Sequence, residues 1–148
     1  MTKRSVAKME MNKNISVVIE KSQSESSQVQ YSKLSFYELL ETVLRQIEFD
    51  TFSREDQRQV REIALMIAEM FKLPKTAKVR IGGNDLPASM VADVFDMLTS
   101  EHVEYVLEKY NQVQYEIKHT KTYIRTALYN SVSELSLRTV NAVHADGM

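Results

Sequence analysis

Two groups of cations are the side chains in this sequence best suited to holding a ligand. Lys118, Lys121 and Arg125 fall in "KHTKTYIRTALYN", a stretch without an acid. Lys121 and Arg125 stand four residues apart, so they share one helix face, away from Ile124 and Leu128. The second group, Lys75, Lys78 and Arg80, lies with Lys72 in "KLPKTAKVRIGGNDLP", which has no acid before Asp85. Clusters of this kind hold phosphate oxygens, helped where a helix N-terminus is near. So few charges give weak, salt-sensitive binding. Tyr129 is placed on the outer face of its helix, where an aromatic ring can stack on an unpaired base. The bland alternative is that these cations pair with acids of neighbouring helices. The net charge of −1 does not by itself mark a polyanion binder.

Other chemistry finds little to work with. His102, His119 and His144 have no second histidine at helical ligand spacing, and cysteine is absent. "SEHVEY" is therefore no zinc motif, which needs two histidines four apart. Gly82-Gly83 lacks the lysine and hydroxyl of a phosphate loop, and reads as a turn. Glu55/Asp56, Asp93/Asp96 and Glu101/Glu104/Glu108 read as solvated helix faces, because acid catalysis needs carboxylates facing one another across a cleft. No nucleophile motif is present. The expectation is a non-enzymatic chain with no metal and no cofactor.

The elements that must position the cations are mostly helical. "LSFYELLETVLRQIEF" spaces Phe36, Leu39, Leu40, Val43, Leu44 and Ile47 as one apolar stripe, with Ser35 and Glu38 in a capping-box arrangement. A second helix starts at the Ser53 cap, carries Val60, Ile63, Ala64, Ile67, Ala68, Met70 and Phe71, and stops before Pro74. "AKVRI" suits a short strand, and Asp85 and Pro87 suit a helix start. The third helix is expected to bury Met90, Val91, Val94, Phe95 and Leu98. Thr99 or Ser100 caps a fourth, with Val103, Val106, Leu107, Tyr110 and Val113 inward. Thr120 caps a fifth, with Tyr123, Ile124, Ala127, Leu128 and Val132 inward, and an irregular end after Asn130.

The fold class is thus mostly α: a compact bundle of about five helices with a short strand or hairpin, over residues 35–148. Residues 1–34, with the serine and glutamine run "EKSQSESSQVQYSK", read as a flexible, linker-like tail. "NISVVIE", Asn14 to Glu20, is its one apolar patch and suits a strand. The longest apolar runs fall short of the roughly 20 residues a membrane span needs. No h-region follows the basic amino terminus, so the cytoplasm is the expected location.

Beyond pattern, residues from about 81 to 148 resemble the C-terminal domain of replication initiator A proteins of plasmids and integrative elements in Gram-positive bacteria. The resemblance rests on "VRIGGNDLPASMV", "LTSEHVEYVLEKYNQ", "IKHTKTYIRTALYNS" and the terminal "VNAVHADGM", which carries an extra glycine, Gly147. The fifth helix also resembles the motif helix of DnaD-type primosome domains through Tyr123, Ile124, Leu128 and Asn130. Ala127 stands in place of an isoleucine there, and Ser131 in place of the usual tryptophan. The resemblance implies an origin-reading winged helix in the initiator's N-terminal half, for which these 148 residues are expected to have no room, so that the chain reads as an isolated C-terminal domain or a short paralogue.

The resemblance implies an accessory role in mobile-element DNA replication initiation, by weak DNA binding, by recruiting host replication proteins, or both. The expected partners are DNA, those proteins, or a second copy of the chain, and no membrane. The competing expectation is a protein-interaction module without nucleic-acid contact, working through the acidic helices from Asp85 to Glu116.

Overall fold

The computed structural model describes Tyr31 and residues 33–147, with side chains as far as Asn141. The expected strand over Asn14–Glu20 and most of the expected tail lie outside the described residues. In chain order come α1 (Phe36–Gln46), a 3₁₀ turn (Phe49–Thr51), α2 (Arg54–Phe71), β1 (Lys78–Ile81), β2 (Asn84–Pro87), α3 (Ala88–Phe95), α4 (Ser100–Gln112) and α5 (Thr120–Gly147). Among the described residues these are the expected five helices, and β1 and β2 pair antiparallel as a hairpin.

The helix starts follow their caps. Ser35 Oγ accepts from the Glu38 N–H while Glu38 Oε1 accepts from the Ser35 N–H, closing a capping box on α1. Ser53 Oγ accepts from the Asp56 N–H at the start of α2. At α4 the capping partner is a histidine. The Thr99 N–H donates to His102 Nδ1 at 3.0 Å, so that nitrogen must be unprotonated. Burial pushes the His102 imidazole below its usual value, and Glu101 beside it pulls back only in part.

A histidine held neutral by folding contributes stability above its unfolded pKa, about 6.5, and loses it as pH falls through the lower folded value. Melting temperature should therefore drop from about pH 6.5 downward. His102→Gln, which keeps an acceptor at the same cap position, should flatten that part of the pH profile.

α2 is the central helix and touches all four others. Its expected stripe, Val60, Ile63, Ala64, Ile67, Ala68, Met70 and Phe71, is buried throughout. From α1 and its C-cap it receives Leu39, Val43 and Ile47; from α4, Val103, Val106 and Leu107; from α5, Ile124 and Leu128. In α3 the buried residues are Ala88, Val91, Ala92 and Phe95, a spacing of three, one and three. Met90 lies off that stripe and is 46% exposed, contrary to its expected burial, and Val94 is half-buried.

Three further expectations are corrected. Asp85 lies in β2, opposite Arg80, and only Pro87 borders the helix. Thr120 is the first helical residue of α5, and the His119 carbonyl accepts from the Tyr123 N–H. The serine-rich end is helical to Gly147, because α5 continues for 28 residues.

The folded unit also begins earlier than residue 35. The Tyr31 hydroxyl donates to Asp96 Oδ1 at 2.8 Å, and its ring centroid lies 4.4 Å from that of Phe71. Burial, and then the Asp96 carboxylate, hold the Tyr31 phenol well above its usual pKa.

α1 ends on an unusual residue. Glu48 has φ 55° and ψ 54°, a left-handed conformation that favours glycine. Its side chain gains only an exposed bond from Ser100 Oγ, at 3.2 Å. Glu48→Gly should therefore stabilise the chain, by about 1 kcal/mol, read as a rise in the urea midpoint at unchanged m-value.

Candidate nucleic-acid interface

The hairpin sorts its side chains by alternation. Val79 and Ile81 are buried, so Lys78 and Arg80 point outward together. Gly82 and Gly83 form the expected turn between Ile81 and Asn84, and Gly82, at φ +63°, requires the freedom glycine has. The Gly82 N–H is not left for a phosphate. It donates to Thr126 Oγ1 on α5 at 3.1 Å. That bond docks the hairpin tip on α5, one residue from Arg125.

Arg125 is half-buried, and its Nη1 approaches the Arg80 carbonyl oxygen at 3.5 Å. Two cation groups some 45 residues apart in sequence therefore meet at one edge. Lys75, Lys78, Lys118 and Lys121 are all exposed.

Two of the cations are committed. Arg80 Nη1 lies 3.0 Å from Asp85 Oδ1 across the hairpin, and Lys121 Nζ lies 3.0 Å from Glu69 Oε1 on α2. Both pairs are more than half exposed, so each contributes about 0–1 kcal/mol and is open to competition. Among the described residues Lys75, Lys78, Lys118 and Arg125 have no carboxylate within ion-pair distance.

Tyr129 is not the free outer ring expected of it. It is half-buried, with part of its side chain packed against the core. Ser131 is fully buried, with its hydroxyl donating to the Leu128 carbonyl at 2.7 Å. A fully enclosed serine leaves no room for an indole at that position.

Sequence reasoning missed Glu69 and Thr126. One neutralises Lys121 and the other anchors the turn, and each acts across more than 40 residues of sequence. No local pattern reports such a distance. The acidic residues Glu101, Glu104 and Glu108 lie elsewhere, along a groove between α4 and the outer half of α5 that also holds Tyr105 and Arg138. There Glu134 accepts from the Tyr105 hydroxyl at 2.9 Å and pairs with Lys109 at 3.3 Å. Burial opposes the Lys109 charge, but Glu134 outweighs it and holds the ammonium above its usual pKa.

Fold and edge together define a small helical module with a hairpin laid on its last helix and a cationic margin between the two. The chain belongs to a family of unknown function (DUF6017), whose model matches residues 12–147. No curated protein and no solved structure matches the chain. No helix among the described residues is long and apolar enough to cross a membrane.

Proposed function

We propose that this chain is a weak, sequence-independent nucleic-acid-binding module that serves mobile-element replication initiation in the cytoplasm. The observation that carries the binding reading is the meeting of the two cation groups where Arg125 reaches the Arg80 carbonyl. The replication setting draws only on the sequence resemblance. Lys75, Lys78, Lys118 and Arg125 supply the primary phosphate contacts. Arg80 and Lys121 exchange Asp85 and Glu69 for phosphate without releasing counterions, so the salt slope is set by the other four.

Fluorescence titration of a labelled DNA duplex across a salt series tests this. Four phosphate contacts give a slope of log K against log salt of about −3 to −4. No binding at low salt, or a slope near zero, removes the reading. The ion pairs Arg80–Asp85 and Lys121–Glu69 favour a second reading, a protein-interaction module whose basic edge is already neutralised in part. The same titration separates the two.

A further inference from the structure

A cavity of about 110 Å³ opens between the end of α2, the end of α3 and the first turns of α5. Its floor is apolar: Met70 and Phe95 are buried, with Met66 and Leu73 half-buried beside them. Methionines adjust to the shape of whatever enters. Its rim is polar and mainly cationic, formed by Lys121 and Arg125 against the single carboxylate of Glu69.

The combination is selective. An apolar floor beneath two cations favours a ligand whose aliphatic group and anion lie within a few bonds of each other. A nucleic-acid backbone offers the anion, but its apolar surfaces are flat bases. A peptide ending in leucine or valine offers both, since its side chain and terminal carboxylate share one Cα.

We propose that this cavity takes the carboxy-terminal aliphatic residue of an acidic peptide. The side chain rests on Met70 and Phe95. The terminal carboxylate bonds to Arg125 and takes Lys121 from Glu69. Acids earlier in the peptide face Lys118, which is exposed and unpaired among the described residues. The proposal does not depend on nucleic-acid binding, although Lys121 and Arg125 serve both ligands.

The test uses the full chain and a fluorescein-labelled peptide, Glu-Glu-Asp-Ser-Gly-Leu, with either a free or an amidated carboxy terminus. The free acid should bind at least about tenfold more tightly than the amide. Glu69→Gln should tighten the free acid, because Lys121 loses its competitor. Met66→Trp should block the peptide and spare DNA, while Lys78→Glu should weaken DNA and spare the peptide. Methyl NMR needs no variant: the peptide should shift the Met66 and Met70 methyls and leave those of the exposed Met90 and Met97 in place. Equal binding of acid and amide, no binding, or unmoved Met66 and Met70 methyls would each overturn the proposal. So would DNA moving those two methyls as far as the peptide does.

Discussion

Reversing Lys78 and Lys118 to glutamate together is expected to weaken DNA binding by about 10- to 100-fold at low salt. Both side chains are exposed, and neither has a carboxylate partner among the described residues. The reversal therefore removes two phosphate contacts and adds two repulsions without breaking a structural bond. Each lost contact also lowers the salt dependence by about one unit of slope, so the double variant should retain about half of the original slope. The melting temperature should not move, because no packed group changes. The matching reversal of Glu104 and Glu108 to lysine, on α4, should not weaken binding. An unchanged affinity in the Lys78→Glu, Lys118→Glu variant would show that DNA, if bound, is bound elsewhere.

The second large effect concerns stability and a residue far from the basic edge. Gln46, near the end of α1, donates from Nε2 to the Leu98 carbonyl at 2.8 Å, the Phe95 carbonyl at 3.0 Å and, more weakly, the Asp96 carbonyl at 3.4 Å. The last carbonyls of a helix have no donor within it, and here one amide supplies the end of α3 and the turn after it. Gln46→Leu keeps the volume but takes its donor from the part-buried Leu98 carbonyl and leaves the Phe95 carbonyl with the Leu98 N–H alone. The cost should be about 1–3 kcal/mol, or a fall of about 5–12 °C in melting temperature. Gln46→Glu should cost more, since an ionised carboxylate then faces carbonyl oxygens at the negative end of a helix. The expected order of melting temperatures is Gln, Leu, Glu. A leucine variant as stable as the parent would sink this account of how α1 holds α3.

What the sequence makes legible is whatever local chemistry determines. Ser35 with Glu38 and Ser53 with Asp56 announce their helices, because a cap and its partner are three residues apart. The α2 stripe is readable for the same reason: its period is internal to the helix. Met90 is not legible because α3 has only eight residues, too few for the stripe to declare which side it faces. The length of α5 is hidden because its serines and threonines look like a frayed end, although Thr139 Oγ1 bonds back to the Leu135 carbonyl.

The candidate site shows the same division. Lys121 and Arg125 are readable as sharing a face, but Glu69, which holds Lys121, is 52 residues away. Tyr31 sits in a serine and glutamine run, and nothing local marks it as the ring that covers Phe71. The Gly82–Thr126 bond, which brings the two cation groups together, joins a turn to a helix 44 residues later.

α5 is one continuous element with two kinds of anchorage. Among the described residues its buried ones, Ile124, Leu128 and Ser131, all lie in the first half. Beyond them Leu137 is 64% and Val140 50% exposed. The inner turns can open only when the core opens with them, so their backbone amides carry the full stability of the domain. Past Ser131 the described side chains are held at the surface, chiefly by Glu134 bonding Tyr105 and Lys109 and by Arg138 lying over the Tyr105 ring. A helix about 42 Å long thus runs from a root enclosed by the core to turns tied to α4 by polar contacts.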